Sequence, residues 1–162
     1  MRHGSGFVVL AATVFAFAFS VEAQQVGDKI PLIGYLANNA GNTYSREAFR
    51  RGLHTLGYVE GKTIRIEYRY AEGKVERFAD LAEELVNLNV KVLVVSGGTN
   101  TVLRVMNVTR RVPVVFPLVS DPVRDGIVES LARPGGNLTG LSSFSRDLVG
   151  KRLELLKETI PK

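Results

Sequence analysis

Cysteine is absent from all 162 residues. That excludes disulfides, a thiol nucleophile, thiolate-bound metals and a lipid-modified cysteine at a processing site. Histidine is nearly absent: His3 lies near the N-terminus, and His54 falls on a predicted helix where it reads as a surface residue rather than a general base. No long run of like charge occurs. The 21 Lys and Arg residues and 16 Asp and Glu residues are interspersed, so a net charge of +5 implies no nucleic-acid partner. The pairs Arg50-Arg51 and Arg110-Arg111 read as solvated helix surface. There is no Walker A string, no strand-linked G-x-G-x-x-G, and no His, Asp and Glu cluster at metal-ligand spacing. Ser96-Gly97-Gly98 lacks the preceding glycine of a nucleophile elbow, and no suitable histidine follows it. Catalytic residues, metal ligands and cofactors are therefore not expected, and an enzyme is the weaker class. Repeats and low-complexity tracts are also missing.

What is present begins with an export signal. Arg2 supplies a positive start, Phe7 to Phe19 is apolar, and Val21-Glu22-Ala23 fits a small-x-small cleavage site. Residues 1–23 read as a signal peptide, with cleavage near Ala23 leaving an exported, soluble chain. An uncleaved anchor is the alternative, although the apolar run is short for a bilayer.

The remainder alternates strands and helices. Ile30 to Leu36 is a nearly continuous apolar run, as in a strand buried on both faces. A helix from about Tyr44 carries Phe49, Leu53 and Leu56 on one face and stops at Gly57. Thr63 to Tyr70 alternates, with Ile64, Ile66, Tyr68 and Tyr70 on one side and Arg65, Glu67 and Arg69 on the other, the mark of an edge strand. Phe78, Leu81, Ala82, Leu85 and Leu88 stripe a second helix. Val92 to Val95 is a third strand. A helix from Thr99 or Asn100 to Thr109 follows, then a strand at Val114 to Phe116 bracketed by Pro113 and Pro117. A short helix over Val123 to Leu131 and a fifth strand at Leu138 to Leu141 complete the pattern. This predicts an α/β fold, a flavodoxin-like parallel sheet of order 2-1-3-4-5 flanked by helices. One lobe spans residues 24–143. Residues 144–162 read as a crossover and the first helix of a second lobe, because Val149, Leu153, Leu156 and Ile160 form an apolar face that needs a partner. That face could instead cap this sheet, or drive self-association through the Val149–Ile160 helix.

In an open parallel sheet, ligands bind beyond the carboxyl ends of the strands. The loops selected contain Asn38 and Asn39, Ser96, Gly97, Gly98 and Thr99, and Asp121. Ser96 to Thr99 joins a strand to a helix, where glycines let a carboxylate or phosphate approach backbone N–H groups. Thr99 or Asn100 could equally be an ordinary helix cap, and the asparagines ordinary turn residues. Asp121 could pair with a ligand amine or cap the segment that follows it.

Longer strings carry a resemblance. L-G-Y-V-E-G-K at Leu56 to Lys62, E-Y-R at Glu67 to Arg69 and D-P at Asp121-Pro122 occur in order. They are followed by L-A-R-P-G-G-N-L-T-G at Leu131 to Gly140 and G-K-R-L-E-L-L-K at Gly150 to Lys157. Together they resemble the ABC transporter substrate-binding protein family related to tryptophan and tyrosine transport. The resemblance implies a two-lobed periplasmic-binding-protein fold of which this chain is the first lobe. It further implies a small solute, an amino acid or aromatic compound, bound between lobes and passed to a membrane permease with its ATPase. Ligand contacts implied on this chain are Asn38, Asn39, Ser96, Gly97, Gly98, Thr99 and Asp121, although Asn100 is bulkier than the residue common in the family. A flavodoxin-like enzyme or flavin carrier complete at this length is the alternative, motivated by the doubly wound sheet and the Asn42-Thr43 loop. A phosphorylated receiver module is disfavoured, since Asn38 and Ser96 stand where aspartates would be needed.

Overall fold

The computed structural model describes residues 30–41, 43–143 and 148–160. The predicted signal peptide, Asn42 and the crossover at 144–147 lie outside the described residues. Five strands form a single parallel sheet in the order β2-β1-β3-β4-β5: β1 (Leu32–Ala37), β2 (Arg65–Tyr70), β3 (Val92–Ser96), β4 (Val114–Val119) and β5 (Leu138–Ser142). This is the expected topology, with the alternating strand β2 at the edge. The helices are α1 (Thr43–Thr55), α2 (Phe78–Asn87), α3 (Thr99–Val105) and α4 (Leu148–Thr159).

The two sheet faces are packed differently. On one, α2 and α3 seat Phe78, Leu81, Leu85, Val102 and Val105 against Leu36, Leu93, Val95, Val114 and Phe116. On the other, α1 contributes Phe49 to a small cluster with Tyr35, Val94, Ile66, Tyr68 and Tyr70. No residue of α1 is fully buried. The helix stands off the sheet and is held by the Phe49 ring 5.2 Å from that of Tyr35, by Arg46 on Tyr70, and by an Arg50–Glu60 ion pair of 2.8 Å.

Several expected boundaries move, each for a local reason. Leu56 falls beyond the end of α1 and is 74% exposed, so it does not extend the Phe49 and Leu53 face. Leu88 caps α2 from outside the core and is also exposed. The third helix stops at Val105 rather than Thr109, because the Thr109 hydroxyl accepts from the N–H groups of Arg111 and Val112 and so forms a turn instead. No helix forms over Val123 to Leu131. The Arg124 N–H donates to Asp121 Oδ1, and Gly126 enters the left-handed region at φ 70°, closing a single turn that plugs Ile127 and Val128 into the core. β4 runs past Pro117 to Val119. Its pairing with β3 ends at Val115 and a register shift against β5 lies between Phe116 and Val119, so no ladder bond is required where proline lacks its donor.

Asn137 explains part of the Leu131 to Gly140 string. Its Nδ2 donates to the carbonyls of Thr109 (3.0 Å) and Val112 (2.7 Å), fastening the start of β5 to the turn before β4. Asn137→Ala is expected to lower stability by about 1–3 kcal/mol, because two half-buried carbonyls lose their donor. Urea denaturation checks this.

The stripe on α4 is exposed along its length, with Val149, Leu153, Leu156 and Ile160 between 50% and 60% accessible. It does not cap the sheet.

Candidate functional site

The carboxyl ends of β1 and β3 lie side by side, with Ala37 paired to Ser96. The chain turns away from both at once, through Asn38 and Asn39 on one side and Gly97 and Gly98 on the other. Gly98 has φ 83° and ψ −171°, a conformation essentially closed to residues with a Cβ. A Cβ on Gly97 would sit 2.6 Å from the Thr101 methyl. Thr101 cannot readily turn away, since its hydroxyl donates to the Gly98 carbonyl at 2.7 Å. Both glycines therefore keep the backbone bare at the strand end. Thr99 Oγ1 accepts from the Ser120 N–H at 3.4 Å, and the Ser142 hydroxyl donates to the Ser120 carbonyl at 3.0 Å. These bonds tie the ends of β3, β4 and β5 together.

Above this junction is a cavity of about 200 Å³ lined by Asn38, Asn39, Ser96, Gly97, Tyr35, Ala37, Arg46 and Tyr70. A second, of about 490 Å³, shares Tyr35, Ser96 and Gly97 and continues past Gly98 along Tyr44, Phe49, Pro117 and Leu118. Of the residues expected from sequence, Asn38, Asn39, Ser96 and Gly97 converge on one cavity and Gly98 lines the next. Thr99 and Asp121 line neither. Thr99 links loops, and Asp121 caps the turn at Arg124.

Sequence reasoning overlooked Arg46, Tyr35 and Tyr70. Arg46 Nη1 donates to the Tyr70 hydroxyl at 3.0 Å and to the Ala40 carbonyl at 3.3 Å. The bond to Tyr70 raises the guanidinium pKa above its ordinary value, so Arg46 stays cationic. A signal existed: a cation in the first turn of α1, with no acid in that turn, opposes the helix dipole.

Behind the cavity Tyr68 stacks on Tyr70, rings 6.4 Å apart and 9° from parallel. The Tyr68 hydroxyl is buried without a hydrogen-bond partner among the described residues. Burial, helped by Glu60 and opposed by Arg50, pushes its pKa up to about 12. The unfolded residue ionises near 10, so the neutral side chain's contribution is intact below that pH. It is lost as pH rises from about 10 to 12, where the unfolded chain releases its proton first. Tyr68→Phe is expected to keep or raise the neutral-pH melting temperature and to flatten its fall over that window. Equal alkaline slopes for both proteins contradict this assignment.

Residues 30–162 match the family model described as ABC transporter substrate binding protein. The chain belongs to that family. It is 30% identical over 130 residues to a tyrosine-binding protein of Clostridioides difficile strain R20291, covering 80% of this chain and 37% of that protein. Among solved structures it resembles a conserved domain protein of Vibrio cholerae (TM-score 0.71, 31% identity, 83% of this chain and 45% of that one). It also resembles an ABC domain of Streptococcus pneumonia in complex with L-Trp (TM-score 0.62, 25% identity, 69% and 38%). A ligand-free, open substrate-binding protein with adhesive properties from Clostridium difficile is similar too (TM-score 0.68, 28% identity, 82% and 45%). The chain thus spans less than half the length of each of these relatives. For this substrate-binding family member, the strings that carried the resemblance are largely architectural. In Leu56 to Lys62, Gly57 and Gly61 take φ of 85° and 81°, and the Thr63 hydroxyl accepts from the Val59 N–H at 2.7 Å. Among the described residues, no helix is long and apolar enough to cross a membrane.

Proposed function

We propose that this chain supplies one wall of the solute cleft in the substrate-binding component of an ABC importer. Asn38, Asn39, Ser96, Gly97, Gly98, Thr99 and Asp121 stand on that wall or shape its loops, and a second lobe beginning with α4 supplies the opposite one. The observation that carries this reading is the cavity where Asn38, Asn39, Ser96 and Gly97 meet at the ends of β1 and β3, in a member of this family. Its mechanism is reversible binding without covalent chemistry. Closure over a small solute shifts a hinge equilibrium that the permease and its ATPase read. Export follows cleavage near Ala23, placing the mature protein in the periplasm. Relatives named for tyrosine and for L-Trp make aromatic amino acids the first solutes to try.

Titration calorimetry of the full-length product of the source gene, with L-tyrosine, L-tryptophan, other amino acids and neutral sugars, tests the role. Saturable heat with a matching rise in melting temperature is expected for at least one solute. No response across the panel contradicts it.

A further inference from the structure

We propose that Arg46 is the anion-recognising residue of this cleft, set by Tyr70, so that the solute must carry a carboxylate. The inference rests on the cleft reading above and narrows it to a ligand class and a residue.

The lining of the smaller cavity contains one cation, Arg46, and no acidic residue. Among the described residues no carboxylate lies within ion-pair distance of Arg46, whereas Arg50 on the next turn of the same helix is paired with Glu60. The bonds that hold Arg46 go to neutral acceptors, the Tyr70 hydroxyl and the Ala40 carbonyl, and both engage Nη1. They orient the guanidinium without neutralising it. A planar guanidinium has five donors in a fixed fork that matches a carboxylate edge, so the group retains capacity for a charged acceptor. It lies in the first turn of α1, which holds no acidic residue, and Glu47, next in the chain, acts on it without pairing. An anion arriving in the cavity meets the arginine beside Asn38 and Asn39.

Cavity sizes divide the ligand. About 200 Å³ around Arg46, Asn38 and Asn39 suits a compact charged head. The adjoining 490 Å³, walled by Tyr44, Phe49, Pro117 and Leu118, suits an apolar body. The geometry therefore describes a small molecule with a carboxylate at one end and an aromatic or aliphatic group at the other. No residue lining the smaller cavity demands a cationic amine, so recognition runs through the acid.

The test uses the full-length gene product with paired probes that differ only in the carboxylate: L-tyrosine against tyramine, and L-tryptophan against tryptamine. Wild type is expected to bind the acid of a pair roughly ten- to hundredfold more tightly than the amine. Arg46→Gln should remove that preference by weakening the acid alone, and Arg46→Lys should restore part of it. Tyr70→Phe should weaken the acid less than Arg46→Gln does, because it loosens the guanidinium without removing it. Far-UV circular dichroism and melting temperature confirm that the variants fold, as expected for a partly exposed side chain. Equal binding of acid and amine by wild type overturns the inference while leaving the cleft reading intact. So does a preference that survives Arg46→Gln. No binding of either member of either pair by wild type overturns the carboxylate inference, and silence across the whole calorimetric panel removes the cleft reading as well.

Discussion

Replacing Gly140 with alanine should destabilise the protein by roughly 3 kcal/mol or more, the largest single-methyl effect expected in the chain. Gly140 lies opposite Phe116 in the β4–β5 register. An added Cβ would overlap the Phe116 carbonyl oxygen and its ring. Neither can yield. The carbonyl belongs to the ladder strand, and the ring is buried in the core beside Val114, Val119 and Leu138. The strand β5 would have to separate from β4, exposing that edge of the core and dragging the Ser142 to Ser120 bond away from the site. Gly136→Ala is the control, because a Cβ there meets no atom within 4 Å. Chemical denaturation should show a large loss for Gly140→Ala and almost none for Gly136→Ala. Similar midpoints for the two would mean that the β4–β5 approach is looser than described.

Gly98→Val should act mainly on binding. At φ 83° and ψ −171° a β-branched residue is strained by about 1–3 kcal/mol. The loop is expected to relieve that strain by turning its peptide planes, which breaks the Thr101 to Gly98 bond and moves Thr99 away from Ser120. The Gly97 and Gly98 backbone that lines the two cavities then shifts. Solute affinity should fall at least tenfold, while the core around Phe78 and Leu85 stays folded and hydrogen exchange there remains slow. Unchanged affinity would remove the β3 loop from the site.

The contrast between what the sequence made legible and what it hid follows from range. Strand order was readable because β2 alone alternates Ile66, Tyr68 and Tyr70 with charged residues, and only an edge position tolerates Arg65, Glu67 and Arg69. The glycine loop after β3 was readable because its chemistry is local. Arg46 was not. It lies 24 residues from Tyr70 in the chain, and only the parallel pairing of β1 with β2 brings the end of β2 beneath the first turn of α1. The Val123 to Leu131 segment misled for a related reason: Val123, Ile127 and Leu131 are spaced as on one helix face, yet Asp121, Gly126 and the following Pro134 turn close the backbone before a second helical turn forms, burying Ile127 and Val128 and leaving Val123 and Leu131 exposed. Apolar spacing there reports neither helix nor a shared buried face.

Deciding whether the strand ends form a solute site requires a crystal structure of the full-length gene product. Crystals should be grown with the panel member that gives the strongest calorimetric response. The account predicts electron density for that solute against Ser96 and Gly97, its carboxylate within hydrogen-bond distance of Arg46 and its apolar part towards Tyr44 and Phe49. A solute bound away from the ends of β1 and β3, or an empty cleft at saturating concentration, would contradict it.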